Sequence, residues 1–442
     1  MADSEQVQVD AIVVGGGPAG LAAAHTMASA GLETVVIERG EYAGAKNVGG
    51  LLYGTVLSRM IPNFFEQAPI ERSVSRRELI FLSPGEHMRL SFGAEEWARP
   101  PFNHTFIVHR AQFDRWFARQ VESAGATLLE GTVAESLLVE GTGGDRRVKG
   151  VRVRGDEAFY ADVVVLADGA NALVTEQARR DLGLKGGRAP QDYAVGVKEI
   201  IALPRGRIED RFNVEQDGGV AMDFFGVPFE GIVGGGFLYT ARETLHLGFA
   251  ARIHTLARHR LSPHEVMERF KAHPAVRACI EGGELQEYSA HMIPEGGYDA
   301  IGELVGPGVM IAGDAAGFVN MSLYKEGTNH AMESGRAAGA TAVDAKKKGD
   351  FSRAALSAYE KRLRDGVALK DLKRYRKVPE VLEGCPNLLS LYPQKINRLL
   401  VDFFTVAEVP KRTVQGRAIR TFFRGLPKFR FVRDLIRARH LA

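Results

Sequence analysis

The sequence predicts an α/β protein. A parallel sheet is drawn from three separate stretches of chain, with a β-rich insertion between them and a helical region at the C-terminus. Three observations carry this. A strand–turn–helix–strand pattern with glycines at 15, 17 and 20 opens the chain. Two later buried-strand patterns, "ADVVVLADG" and "GVMIAGD", end in Asp168-Gly169 and Gly313-Asp314. From about residue 352 the chain becomes helix-rich and basic.

The bulk numbers set limits. At 442 residues, more than one domain is expected. A hydrophobic share of 45% and a charged share of 25% are those of a folded protein, and a net charge of +3 selects no partner class. The start "MADSEQVQVD" lacks the basic and apolar regions of a signal peptide. No apolar run approaches the ~20 residues that span a bilayer. A cytoplasmic chain that does not cross the membrane is therefore expected. Only two cysteines occur, Cys279 and Cys385. An iron–sulfur cluster or structural zinc site takes about four ligands, so no cluster or metal site is expected in this chain, and a reducing compartment is.

Taken in order, Ala11 to Val14 reads as a short buried strand, Leu21 to Ala30 as an alanine-rich helix, and Thr34 to Glu38 as a β-branched strand. The turn has G-x-G-x-x-G spacing. Gly15 permits the tight turn, Gly17 lets the backbone approach a pyrophosphate, and Gly20, beside Ala19, lets helix and strand pack closely. Unpaired N–H groups at the helix N-terminus then face the phosphates. Glu38, 18 residues past Gly20, stands where a carboxylate takes ribose hydroxyls, with Arg39 next to it. Together these predict a Rossmann-type dinucleotide site.

Residues 106–155 continue the pattern. Arg110 precedes an amphipathic helix whose Phe113, Trp116, Phe117 and Val121 recur at helical spacing, and the following strands include Val133. Both 76–105 and 186–297 read as strands, turns and clustered aromatics, including the loop "WARPPFNHTF". The expected division is 1–75, 106–185 and 298–351 for the nucleotide domain, 76–105 and 186–297 for the insertion, and 352–442 for the helical region. From Lys411 onward ten Lys/Arg face one acid, Asp434, with interleaved Phe and Leu. Such a segment suits an anionic membrane or an acidic partner, and no nucleic-acid module accompanies it.

The N-terminal GxGxxG, the mid-chain Asp168-Gly169 and the late Gly313-Asp314 together resemble the FAD-dependent oxidoreductases built like aromatic hydroxylases. The resemblance implies non-covalent FAD, with Asp314 bonding the ribityl chain, Val133 beside the adenine and Arg110 near the flavin. More narrowly, the chain is similar to the electron-transfer-flavoprotein:quinone oxidoreductases, in their short FixC/EtfC form. Glu295-Gly296-Gly297, Gly317-Phe318-Val319-Asn320, Lys325, Gly327-Thr328 and the helix start Ala331 to Gly335 carry that likeness. So do "GAKNVGGLLYG" (44–54), which looks like the family's loop under the flavin, and "IVGGGFLYT" (232–240).

This resemblance implies an oxidoreductase passing electrons from a reduced electron transfer flavoprotein to membrane quinone. Gly234 and Gly235 would let the quinone ring approach the backbone. Asn320 and Thr328 would adjust the flavin as neutral hydrogen-bonding groups. Lys325, with Tyr324, Glu326 and His330, would lie close to it, as candidates for a proton route. The expected partners are electron transfer flavoprotein α and β subunits and a small ferredoxin-like subunit (FixX/EtfX type) that supplies the cluster missing here, in a bifurcating complex on the inner face of the membrane. The rival reading is a geranylgeranyl-reductase-like enzyme. A halogenase is disfavoured, because no W-x-W-x-I-P motif occurs.

Overall fold

A computed structural model describes residues 7–45, 49–215 and 217–441. Lys46 to Val48, within the expected loop under the flavin, and the first six residues lie outside the described residues. The chain forms two compact units. One comprises 1–70, 104–193 and 292–376; the other comprises 71–103, 194–291 and 377–442. The helical region is thus divided near residue 376 between the two.

The first unit is built on a parallel sheet. Its strands are β1 (Val7–Val14), β2 (Thr34–Ile37), β3 (Thr127–Leu129), β4 (Ala158–Leu166) and β5 (Val309–Ile311), in the spatial order β5–β4–β1–β2–β3. Ala11 lies opposite Thr34 and Val163, and Val164 lies opposite Val309, which sets the register. Helices cover such sheets, so their strands read as unbroken apolar runs. Ile12, Val13, Val36, Val164 and Val165 are fully buried, each contributing about 1.5–3 kcal/mol of transfer free energy. A two-stranded antiparallel extension, Ala134–Glu140 with Arg147–Val153, joins β4 at Tyr160 opposite Gly150. Val133 falls one residue before that strand, not in it as the pattern suggested, and its carbonyl accepts from the Arg154 N–H.

Three helices matter for the site: α1 (Pro18–Ala28), α2 (Arg110–Ser123) and α3 (Thr328–Lys348). The helix α1 starts three residues earlier than periodicity suggested, because Pro18 occupies its first turn, where no N–H is needed. Arg110 is likewise the first residue of α2 and not a residue preceding it. Phe113, Trp116, Phe117 and Val121 form the buried face of α2. Between α1 and α3 the approach is backbone-close. A Cβ at Gly335 would lie 1.9 Å from the Ala19 carbonyl oxygen, and one at Gly339 would lie 2.7 Å from that of Ala23.

In the second unit, a sheet runs Glu284–Pro294, Tyr193–Ala202, Thr244–Arg252, Gly234–Thr240, Gly218–Gly226, Ile70–Ser83, Glu86–Gly93. Gly218–Gly226 and Ile70–Ser83 pair in parallel; the neighbouring pairings on either side are antiparallel. Alternate residues Met222, Phe224, Leu238, Leu247 and Phe249 join Phe270 of helix Pro263–Ala272 in one core. Ser262 caps that helix reciprocally with Glu265. The fully buried Arg72 donates to the carbonyls of Ala241 (3.0 Å), Glu215 (2.9 Å) and Gly218 (3.1 Å), and to Glu209 (3.2 Å).

The C-terminal helices Leu391–Phe404, Lys411–Phe423 and Lys428–Ala438 belong to this unit. Asn397 donates to the Phe81 carbonyl (2.8 Å), and the buried Asp434 accepts from the Tyr392 hydroxyl (2.8 Å). The outer faces are apolar as well as basic: Phe429 is 96% exposed and Phe404 75%. Among the described residues, no helix is long and apolar enough to cross a membrane.

Candidate functional site

The C-terminal ends of β1, β2, β4 and β5 bring the motif residues together in the first unit. Gly15 adopts φ +107°, and a Cβ there would meet the Ala167 carbonyl oxygen at 2.3 Å. A Cβ at Gly20 would lie 1.8 Å from the Gly15 carbonyl oxygen. Protein packing alone explains both glycines. Gly17 differs: its Cβ position has no protein atom within 4 Å. It is the residue just before α1, where no side chain caps the first-turn N–H groups. That combination is an open cradle ending in unpaired donors, suited to a phosphate.

Glu38 lies at the end of β2, its Oε2 accepting from the Gly16 N–H (2.7 Å) and its Oε1 from Gly40 (2.6 Å). This anchors the carboxylate while leaving lone pairs for hydroxyl donors. Arg39 beside it is exposed. The Glu38 carbonyl accepts from the Thr132 N–H (2.9 Å), which brings Val133 to the same strand end. Ala19 packs under the later motif, where a Cβ at Gly313 would come within 2.6 Å of its own.

Asp168 has a second role that the sequence did not announce. Its carboxylate accepts from the N–H groups of Val174 (2.9 Å) and Thr175 (3.1 Å) and from the Thr175 hydroxyl (2.5 Å), starting helix Leu173–Leu182. Gly169 follows at φ +76°, with no protein atom near its Cβ position. Asp314 is the contrast. It is half-buried, and no described residue donates a hydrogen bond to its carboxylate. Burial pushes its carboxyl up from the usual range, with Arg188 and Arg110 pulling it back. The Gly313 N–H is held by the Ser334 hydroxyl (2.8 Å).

Arg110 forms a two-pronged pair with Asp114, Nε to Oδ1 at 2.9 Å and Nη2 to Oδ2 at 2.8 Å. Burial works against the guanidinium charge, but Asp114 and Asp314 more than restore it, so its pKa is raised. Arg188 was missed by sequence reading. Its Nη1 donates to the Asp314 backbone carbonyl, and its Nη2 is buried without a hydrogen-bond partner. Nothing local marks it, because it lies in an irregular segment and acquires its neighbour only through the fold. Asp114 was legible only as a polar position on α2.

The segment before α3 is a turn that pairs with itself. The Asn320 N–H donates to the Glu326 carbonyl (2.8 Å), Glu326 returns the bond (3.2 Å), and the buried Asn320 side chain accepts from the Ser322 N–H (3.0 Å). Asn320 therefore shapes the turn itself. Thr328 opens α3 and is half-buried; Lys325 and Tyr324 are exposed, Lys325 at φ +49°. Asn329, also missed, links the Thr55 hydroxyl, the Val56 N–H and Glu326.

In the second unit, Gly234 and Gly235 lie on one strand opposite Ala251 and Ala250. A Cβ at Gly234 would lie 2.4 Å from the Ala250 carbonyl oxygen, and one at Gly235 would lie 3.0 Å from that of Phe224. Sheet packing therefore demands glycine at 234 on its own account.

The open Gly17 cradle, the unpartnered Asp314 carboxylate and the unpartnered Arg188 nitrogen fit a dinucleotide carrying a polyhydroxylated chain. The comparisons agree: residues 10–176 match the family described as FAD dependent oxidoreductase. The fold and this site define an FAD-dependent oxidoreductase. Residues 193–293 match the domain described as ETF-QO, ubiquinone-binding, and 378–440 the ETF-QO/FixC family C-terminal domain. The chain is 41% identical over 408 residues to the probable electron transfer flavoprotein-quinone oxidoreductase YdiS of Escherichia coli K12, covering 92% of each. It is 42% identical over 400 residues to Protein FixC of the same strain, covering 90% of each. The chain belongs to the ETF-QO/FixC family. Solved structures of similar fold include a geranylgeranyl bacteriochlorophyll reductase-like protein of Thermoplasma acidophilum (TM-score 0.71, 20% identity, 99% and 100% coverage) and the halogenase CndH (TM-score 0.59, 20% identity, 95% and 89% coverage).

Proposed function

We propose that this protein accepts electrons from a reduced electron transfer flavoprotein and delivers them to membrane quinone, producing quinol. The observation that carries the reading is the ubiquinone-binding domain match at 193–293 in the same chain as the dinucleotide site. Bound FAD supplies the chemistry, storing two electrons between donor and acceptor. The chain's own residues hold it non-covalently. The Gly15–Gly20 turn and the first N–H groups of α1 take the pyrophosphate, Glu38 the ribose and Asp314 the ribityl hydroxyls. Asp168 holds the segment carrying Gly169 in place, and Arg110 and Arg188 supply positive charge beside Asp314. Asn320 and Thr328 orient polar groups toward the flavin, with Lys325 close by.

Quinone reduction also consumes two protons. Lys325 and Tyr324, both exposed, would relay them from water. Gly234 and Gly235 lie in the segment assigned to quinone. The chain's two cysteines, both buried and far apart in sequence, fall short of the roughly four thiolates a cluster takes, which supports assigning the cluster to a partner subunit. The proposed assembly therefore contains electron transfer flavoprotein α and β subunits and a small ferredoxin-like subunit, and works by bifurcation. The basic, apolar C-terminal helices would rest on the inner face of the membrane.

The test is stopped-flow mixing of the FAD-loaded chain, co-expressed with those subunits, with reduced electron transfer flavoprotein and then a short-chain quinone. Flavin bleaching followed by quinone-dependent recovery is expected. Reduction of a geranylgeranyl substrate without oxidation of the flavoprotein donor would overturn the reading.

A further inference from the structure

We propose that Glu326, His330 and Asp371 form a mononuclear site for a divalent transition metal of the zinc class, tying the start of α3 to helix Val367–Arg374. The three side chains each offer one donor atom, and these atoms lie within 4.8 Å of one another. Glu326 ends the turn before α3 and His330 lies in the first turn of that helix, and the fold brings the Glu326 carboxylate to 3.8 Å from the imidazole. Asp371 comes from the facing helix.

His330 gives the site its second, independent support. Its side chain is 1% exposed, and neither ring nitrogen has a hydrogen-bond partner among the described residues. Its Nε2 points at the Glu326 carboxylate, 3.8 Å from Oε2. A buried imidazole without a partner forfeits the hydrogen bonds it makes in water. Such a group is rare in a well-packed interior and calls for a ligand.

The carboxylate facing it is already oriented. Glu326 Oε1 accepts from Asn329 Nδ2 (2.7 Å), and Asn329 is itself fixed by the Thr55 hydroxyl (2.9 Å) and the Val56 N–H (3.0 Å). One oxygen is thus occupied and the other turned inward, an outer-sphere arrangement typical of metal ligands. Tetrahedral coordination at about 2.1 Å places ligand atoms about 3.4 Å apart. Binding would therefore draw the three donor atoms in from their present spacing of up to 4.8 Å. One imidazole and two carboxylates suit zinc, with a fourth position left for water. Bound there, the ion would also neutralise two half-buried carboxylates.

The test uses the FAD-loaded full chain, treated with chelator and dialysed, then titrated with Zn2+ by calorimetry and with Co2+ by visible absorption. One equivalent of Zn2+ is expected, together with the Co2+ d–d bands of a four- or five-coordinate site. Replacing His330 by Ala should weaken the stoichiometric Zn2+ binding at least 100-fold and abolish those bands. D371N and E326Q preserve side-chain shape and serve if H330A fails to fold; each should weaken binding at least tenfold, with flavin absorbance reporting that the fold is intact. The proposal is overturned if no stoichiometric binding is found in the parent, or if binding and bands persist unchanged in folded H330A or in D371N and E326Q. Because binding is read without turnover, either result is independent of the quinone-reductase reading.

Discussion

The glycines of the first turn separate protein packing from ligand binding, because only one of them borders open space. Consider Gly17→Ala and Gly20→Ala. Gly17 has φ −82° and ψ 179°, which any residue adopts, and its new Cβ would meet no protein atom within 4 Å. Ala is a poorer residue than Gly in front of a helix, and it also loses less entropy on folding. These opposed terms of about 0.5–1 kcal/mol leave apoprotein stability within about 1 kcal/mol of the parent. A methyl group in the cradle would nevertheless hold a pyrophosphate away from the N–H groups of α1. Losing one hydrogen bond to a charged group costs about 1.5–3 kcal/mol. The FAD dissociation constant should therefore rise about 10- to 150-fold.

Gly20→Ala has the opposite character. Its Cβ would start 1.8 Å from the Gly15 carbonyl oxygen and 3.1 Å from Val13 Cγ1. The turn must move by more than an ångström, and overpacking of this kind costs about 1–3 kcal/mol or more. Apoprotein stability and flavin binding should fall together. Urea unfolding of the apoprotein by circular dichroism gives the first quantity, and quenching of FAD fluorescence on titration gives the second. Parental FAD affinity in Gly17→Ala would show that the phosphates do not pass over this residue. A loss of more than 2 kcal/mol in its apoprotein would show that the cradle is not open.

Three further outcomes follow from the packing. Asp114→Asn strips the half-buried Arg110 of a two-pronged partner and should cost about 1.5–3 kcal/mol, read as a lower urea midpoint at unchanged slope; an unchanged midpoint refutes the pair. Gly335→Ala drives a Cβ against the Ala19 carbonyl at 1.9 Å, so stability should fall by about 1–3 kcal/mol and FAD affinity with it, whereas parental values for both would mean that α1 and α3 can separate freely. Exchanging the exposed Phe429, Leu435 and Ile436 for Ser should leave stability within about 1 kcal/mol. Sedimentation with anionic vesicles should drop at least tenfold, and undiminished sedimentation removes this helix from the membrane surface.

Much of the first unit was legible from residue order. Gly15, Gly17, Gly20 and Glu38 encode a local structure, since a strand, a turn and a helix N-terminus lie within 30 residues and their chemistry needs no distant partner. The apolar runs ending in Asp168-Gly169 and Gly313-Asp314 were equally clear as strands. Less visible was what each polar side chain would face. Asp168 and Asp314 look alike in sequence, each at a strand end beside glycine. Asp168 finds the first N–H groups of the next helix, whereas Asp314 has none in reach and stays available. Gly234 and Gly235 were expected beside a quinone from the family resemblance alone, and the fold adds a packing reason for glycine at 234, where a Cβ would lie 2.4 Å from the Ala250 carbonyl oxygen.

By itself, then, the sequence determined the nucleotide turn, the strand–helix alternation and the scarcity of cysteine, because each is a property of neighbouring residues or of composition. Only the tertiary structure decided that Arg110 is spoken for by Asp114, that Arg188 reaches Asp314 across 126 positions of chain, and that His330, Glu326 and Asp371 converge. Side-chain partnership depends on which backbones the folded core brings within a few ångströms, and sequence spacing does not carry that distance.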